Sequence, residues 1–243
     1  MARGDAYAGP DARTVQQMFA GIAHRYDFLN HFLSLSVDRY WRRKAVRKVG
    51  ECLGSGRHLC LDLCSGTGDL ALDLRRILGT EVVASDFCHP MLVRSLQKLR
   101  AKGFERSVCP VEADALDLPF QPDAFGAVTI AFGLRNLQDP VRGLEEMKRV
   151  LRNGGALVIL EFSRPVLPVF RSVFSFYFRF ILPWLGTLIS GTTGPYQYLQ
   201  ASVQTFPGQE ELAKWMRSVG FRDVGYRNLT GGIAALHWGS KAV

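Results

Sequence analysis

Apolar residues in the first fifty positions recur at helical spacing: Val15, Met18, Phe19 and Ile22, then Trp41, Ala45 and Val49. Such stripes mark helices with one buried face, so residues 12–50 are expected to form a helical N-terminal cap. From residue 57 the pattern changes. HLCLDLC, EVVASDF, VCPVEA, AFGAVTIAF and GALVILEF read as strands, and Leu70–Leu78, Pro90–Arg100 and Pro140–Leu151 read as helices between them. Strands alternating with helices predict a parallel sheet with right-handed crossovers. After a helix at Glu210–Val219, the runs FRDVGYRNL and IAALHWGSK flank Thr230, Gly231 and Gly232 and predict a closing antiparallel hairpin.

One stretch is not needed by this sheet. Residues 164–206 crowd Phe170, Phe174, Phe176, Tyr177, Phe178, Phe180 and Trp184 together with only Arg171 and Arg179 for charge, and Pro183 is expected to end the first helix there. The expected organisation is one domain, 1–243. It comprises a cap at 12–50, a core at 57–163, an aromatic helical insertion at 164–206 and a terminal helix with hairpin at 207–243.

Length and composition narrow the class. With 243 residues and 47% hydrophobic content, one continuous core is affordable. Cys52, Cys60, Cys64, Cys88 and Cys109 form no CxxC pair and have no histidine at finger spacing, so neither a disulfide framework nor a metal site is expected. No signal peptide and no apolar run of about 18 residues is present, which predicts a cytoplasmic protein. The net charge of +8 concentrates at Arg39, Arg42, Arg43, Lys44, Arg47 and Lys48, with more at Arg75, Arg76, Lys98, Arg100 and Lys102. A solvated helix face, anionic lipid and nucleic acid all suit such a cluster, in that order of preference.

Candidate chemistry lies where the first strand meets its helix: Asp62, Leu63, Cys64, Ser65, Gly66, Thr67, Gly68, Asp69. Glycines at such a turn let backbone approach a ligand closely. Gly66, Gly68 and Ala71 also satisfy a dinucleotide pattern, and Asp86, twenty residues after Gly66, could take a ribose diol of either cofactor. Asp62 and Asp69 crowd carboxylates where a pyrophosphate would lie, which favours a sulfonium, and Asp114 with Ala115 at the end of strand three suits an adenine. Singly, Asp86 and Asp114 also read as cap or turn acids.

YDFLNHFLSLSVDRYW at 26–41, carrying Tyr26, Asp27, Asn30, Ser34 and Trp41, RVLRNGGALVILEFS at 149–163, AFGLRNLQD, YQYLQASVQTFP and LTGGIAALHWGSK together resemble the UbiE/MenG family of quinone C-methyltransferases. The resemblance spans Val15 to Lys241. Departures from the family pattern are Asp38, Ser36, Asn153, Cys64 and the turn GTTGPY.

The resemblance implies a class I, Rossmann-like methyltransferase fold, S-adenosylmethionine as cofactor, and transfer of its methyl to a ring carbon of a polyprenylated quinol. Demethylmenaquinol is preferred. A methoxy-polyprenyl benzoquinol is the alternative, and a non-catalytic cofactor-binding subunit of a quinone-pathway complex is a second. A nicotinamide dehydrogenase stays open on the glycine loop alone, and an RNA methyltransferase lacks an RNA-binding module. The cofactor candidates are Asp62, Gly66, Thr67, Gly68, Asp86, Phe87, Asp114 and Ala115. Arg135 and Asn136 are nominated to stabilise a developing phenolate or orient a water, with a salt bridge to Asp139 or another loop acid as the rival role for Arg135. Tyr26, Asp27, Tyr196 and Tyr198 are the candidates for contacts to the quinol. The insertion is expected to contact a membrane surface at its inner face, to pack as a lid, or to form a homodimer face; no nucleic-acid partner is expected.

Overall fold

The computed structural model describes residues 7, 9–24, 26, 27, 34, 36–54, 58–166 and 194–242, with backbone alone at 194–197. The aromatic positions 170–184, Asn30 and the side chain of Tyr196 lie outside the described residues.

Seven strands form one sheet: β1 (Leu59–Leu63), β2 (Glu81–Asp86), β3 (Val108–Glu112), β4 (Phe125–Ala131), β5 (Leu151–Phe162), β6 (Phe221–Leu229) and β7 (Ala234–Lys241). Their order is β3-β2-β1-β4-β5-β7-β6. β1 to β5 pair in parallel, while β7 lies antiparallel to both β5 and β6. The expected parallel sheet with a closing hairpin is therefore the observed one. Thr230–Gly232, between the hairpin strands, forms a turn of 3-10 helix.

Helices α1 (Ala12–Ile22), α2 (Val37–Leu53), α3 (Asp69–Leu78), α4 (His89–Lys102), α5 (Pro140–Val150), α6 (Gly194–Thr205) and α7 (Gln209–Val219) surround it. Successive strand residues point to opposite faces, and each face has its own core. On one, Trp41, Val46 and Val49 of α2, Leu70 and Leu74 of α3 and Leu99 of α4 pack over Cys60, Val82, Ala127 and Val158. On the other, Leu144 and Met147 of α5 and Leu212 and Met216 of α7 pack over Leu61, Val128, Leu157 and Ile159. β1, β4 and β5 contribute to both cores.

Parallel strands put all their carboxyl ends on one edge, and this chain reverses direction of strand order between β1 and β4, the usual place for a ligand crevice. The turns that follow these two strands touch. A Cβ built on Gly133, after β4, would stand 2.4 Å from Cys64 Cβ, after β1. Cys64 itself sits at φ +50 and Phe132 at φ +58, left-handed backbone that non-glycine residues adopt reluctantly.

The cap joins this edge through ions. Arg42 Nη1 on α2 bonds Asp38 at 2.7 Å and its Nη2 approaches Asp69 at 3.3 Å, while Lys98 on α4 holds Asp69 at 2.8 Å and Asp27 at 2.5 Å. Part of the basic cluster of α2 is thus internal structure; Arg39, Arg43 and Arg47 face solvent. No helix among the described residues is long and apolar enough to cross a membrane, and no group of residues among them could hold a metal ion.

Gly133→Ala should destabilise the protein by about 1–3 kcal/mol, as overpacking of a filled contact does, and Cys64→Gly should restore most of the loss, because it removes the atoms in the way. Urea denaturation of both single variants and the double tests this; additive losses would count against the contact. A second expectation concerns His237, which is 1% exposed with its Nε2 bonded to the Gln209 carbonyl at 2.9 Å. Burial pushes its pKa down to about 4 from an ordinary 6.5. The unfolded chain then binds a proton that the folded one refuses, so stability is full above pH 6.5 and falls by about 3 kcal/mol as the pH drops toward 4. His237→Gln should flatten that part of the stability profile; an unchanged slope would reject the assignment.

Candidate functional site

A cleft opens at the carboxyl edge beside the β1/β4 turning point. Its floor is Leu63, Cys64 and Gly66 at the end of β1, its sides are Ser85–Phe87 at the end of β2, Ala113–Leu116 after β3 and Ala131–Gly133 at the end of β4, and Asn136 closes one end. Ala12, Val15 and Phe19 of α1, with Tyr26, form the roof. The roof is held by Gln16, whose Nε2 donates to the Phe87 carbonyl at 2.8 Å, and by the contact of the Phe19 and Tyr26 rings at 5.9 Å.

Asp86 organises the cofactor side. Its Oδ2 accepts from Gly66 N–H and its Oδ1 from Cys88 N–H, both at 2.8 Å, which ties the glycine loop to the end of β2. The carboxyl is almost wholly buried, and burial raises its pKa against the lowering effect of these hydrogen bonds. Gly66 lies at φ +56, and a side chain there would project toward the Tyr26 ring, 3.6 Å from a built Cβ, and so into the cleft. Asp114 is exposed at the opposite wall, its Oδ1 accepting from Leu116 N–H at 2.9 Å, so it serves as a turn acid and still offers its other oxygen.

Of the residues anticipated from sequence, the structure brings Gly66, Asp86, Phe87, Asp114, Ala115, Tyr26 and Asn136 to the cleft. The others are elsewhere. Asp62 is 1% exposed beneath the loop, where its Oδ1 accepts from Thr129 Oγ1 at 2.8 Å and burial lifts its pKa to about 7. Thr67 donates to Asp27 and receives Lys98, so these two candidates meet each other on the far side of the loop. Gly68 abuts Ser95, where a Cβ would come within 2.4 Å of the hydroxyl. Tyr198 reaches the site indirectly, donating to Asn136 Oδ1 at 2.8 Å, and burial pushes its phenol up to about 12.

Two expectations need correction. Asp69 does not press a negative charge on the ligand, because Lys98 and Arg42 neutralise it outside the cleft. What does bias the cleft is its lining: Asp86 and Asp114 stand among apolar side chains, with no lysine, arginine or histidine among the described residues there. Arg135 does not line the cleft either. It is 5% exposed, and its Nη1 bonds Glu161 Oε1 at 2.7 Å and the Phe132 carbonyl at 2.6 Å. Its partner is thus a strand acid of β5; Asp139, the rival partner, instead caps α5 by accepting from Arg142 N–H at 3.0 Å.

Sequence reasoning missed Glu161, Phe132 and the use of the apolar stripe of α1, Val15 and Phe19, as a wall of the cleft. Glu161 carried a signal, a carboxylate in an otherwise apolar strand, LVILEF, since buried acids require partners. Nothing in the sequence told which face of the sheet edge α1 covers.

The donor set fits S-adenosylmethionine. Asp86 would take the ribose diol, Asp114 the adenine amine, small Ala113 and Ala115 with Phe87 the ring, and an acidic cleft without cations suits a sulfonium better than a pyrophosphate.

Solved structures share this architecture. That of the [4+2]-cyclase SpnF superposes with a TM-score of 0.72 at 17% identity, covering 98% of this chain and all of that one. A SAM-dependent methyltransferase from Aquifex aeolicus gives 0.59 at 18% identity, covering 81% of this chain and 89% of that one. At such identities they speak for the fold, and a cyclase among them shows that the fold alone leaves the reaction open. Sequence relatives are much nearer. The demethylmenaquinone methyltransferase of Deinococcus radiodurans is 49% identical over 230 residues, 94% of this chain and 93% of that protein. That of Thermus thermophilus is 49% identical over 225 residues, 92% of this chain and all of that protein. A ubiquinone/menaquinone biosynthesis C-methyltransferase UbiE of Citrifermentans bemidjiense is 44% identical, covering 93% of this chain and 96% of that protein. The match to the family profile runs over residues 8–241, and the chain belongs to the ubiE/COQ5 methyltransferase family.

Proposed function

We propose that the chain methylates a ring carbon of a polyprenylated quinol, demethylmenaquinol above all, with S-adenosylmethionine as methyl donor. The observation that carries this reading is the cleft of acids and apolar walls without a basic side chain, in a chain about half identical to demethylmenaquinone methyltransferases. When bound, S-adenosylmethionine supplies an electrophilic methyl group on a sulfonium. The acceptor must be the reduced quinol, because quinone carbonyls withdraw the electron density that the ring carbon needs for attack. The second acceptor, a methoxy-polyprenyl benzoquinol, is favoured by the relatives named for both ubiquinone and menaquinone biosynthesis.

Within this reading the chain acts chiefly by placement, which can lower a methyl-transfer barrier by several kcal/mol when the reacting atoms are held in line at roughly 3–3.5 Å. Tyr26 and Phe132 confine the acceptor ring between roof and wall, and the roof helix excludes water. Asn136 is the polar side chain at that end. Its Nδ2 donates to the Phe132 carbonyl at 3.3 Å and its Oδ1 accepts from Tyr198, which leaves the amide oriented toward an acceptor hydroxyl or a water that receives its proton. Arg135 stands behind the wall, where it bonds the Phe132 carbonyl that Asn136 also bonds, and does not face the acceptor. A guanidinium keeps its proton at working pH, so it takes no part as a direct base. Asp27 and Tyr196 are second-rank candidates for acceptor contact, the first because its carboxylate is tied to Lys98 and Thr67.

The insertion at 164–206 has the composition expected of a cover for a prenyl tail at a membrane surface, aromatic side chains with arginines at their edges. A homodimer through the same segment is the alternative use.

Purified protein should add one methyl to demethylmenaquinol under reducing conditions, read by mass spectrometry, and leave the oxidised quinone unmodified. Arg135→Ala and Asn136→Ala should bind S-adenosylmethionine within about threefold of the parent and turn over about 10²-fold more slowly. Parent-like turnover in both would remove this end of the cleft from the mechanism. Charge reversal at Arg171 and Arg179 should lower co-sedimentation with anionic vesicles; undiminished co-sedimentation would speak against the membrane reading.

A further inference from the structure

Glu161 is a buried carboxylate that the roles above leave without a part. It sits near the end of β5, 1% exposed, in the strand neighbouring β4. Three donors converge on it: Arg135 Nη1 on Oε1 at 2.7 Å, Phe162 N–H on Oε1 at 2.8 Å, and the Arg135 backbone N–H on Oε2 at 3.2 Å. Two of the three belong to Arg135, so the carboxylate grips both the main chain and the side chain of one residue of the turn after β4.

That residue in turn holds the cleft wall. Arg135 Nη1 also bonds the carbonyl of Phe132, the same oxygen that receives Asn136 Nδ2, and the guanidinium lies 5.3 Å over the Phe162 ring. The Tyr7 hydroxyl donates to the Arg135 carbonyl at 2.9 Å. Phe132 is held at φ +58, a conformation that needs outside support. Arg135 Nε is buried and has no partner among the described residues, so the hydrogen bonds of the arginine to them run through Nη1 and its backbone. An ion pair this buried brings little net stability against apolar replacement, which argues for a purpose other than holding the fold together.

We infer that Glu161 is a positioning residue for methyl transfer: it clamps Arg135, and through Arg135 the Phe132–Asn136 turn, so that Asn136 meets the acceptor in one geometry. This rests on the acceptor end of the cleft lying at Asn136, as proposed above. The clamp touches neither cofactor nor acceptor, so its loss should alter turnover and spare binding.

Three variants separate the possibilities. Glu161→Gln removes the charge at constant size, Glu161→Asp keeps the charge but withdraws it by one methylene, and Arg135→Met with Glu161→Leu replaces the pair by apolar groups that should fold even if the single variants do not. Each is examined for S-adenosylmethionine affinity, for amide hydrogen exchange at 133–137, and for kcat and KM with demethylmenaquinol. The expected result for Glu161→Gln is cofactor affinity and KM within about threefold of the parent, exchange at 133–137 faster by at least about tenfold with residues 65–68 unchanged, and kcat down about 100-fold. Glu161→Asp should fall between the two, and the apolar double variant should fold, bind cofactor and lose turnover as the Gln variant does. Unchanged exchange at 133–137 in the Gln variant, or full turnover in the double variant, would overturn the inference. If the parent itself fails to methylate the quinol, the acceptor assignment falls, and the exchange and affinity measurements still decide whether Glu161 holds the turn.

Discussion

Two backbone N–H groups, of Gly66 in the turn after β1 and of Arg135 in the turn after β4, have left their strands beside the cleft and donate to carboxylates instead of to a strand neighbour. An unpaired buried donor costs about 1–3 kcal/mol. The chain meets this constraint in the same way on both sides of the turning point. Asp86, at the end of β2, accepts from Gly66 in the turn after β1; Glu161, near the end of β5, accepts from Arg135 in the turn after β4. In each case a carboxylate on the outer strand braces the loop of its inner neighbour. The two braced turns then pack on each other at Cys64 and Gly133.

The two braces differ in what stands beside them. Asp86 accepts from backbone N–H groups and lines the cleft. Glu161 meets a guanidinium, so charge is balanced behind the wall and the cleft receives a neutral amide, Asn136, instead. An acidic half suits a cationic donor, and a neutral polar half suits an aromatic diol. The roof of α1 and Tyr26 spans both halves, which makes the cap part of the binding surface as well as an attachment to the core.

Much of this was legible in order along the chain. Period-two and helical patterns told the strands and helices apart, and Gly66, Asp86 and Asp114 announced a cofactor edge because each sits at, or within three residues of, the carboxyl end of a strand. Charges behave otherwise. On sequence alone Asp69 repels a pyrophosphate, whereas in the fold Lys98, 29 residues away, neutralises it. On sequence alone Arg135 faces the acceptor, whereas in the fold Glu161, 26 residues away, turns it into the wall. Thr67 and Asp27, 40 residues apart, meet each other.

The sequence by itself therefore determined the element order, the parallel sheet with its hairpin, the edge where ligands bind and the chemical family, because these depend on local periodicity and on short strings of contiguous residues. Only the tertiary structure decided which charged groups remain available at that edge. Charge pairing is set by distances through space, and a single carboxylate brought from β5, Glu161, binds Arg135 away from the cleft lining.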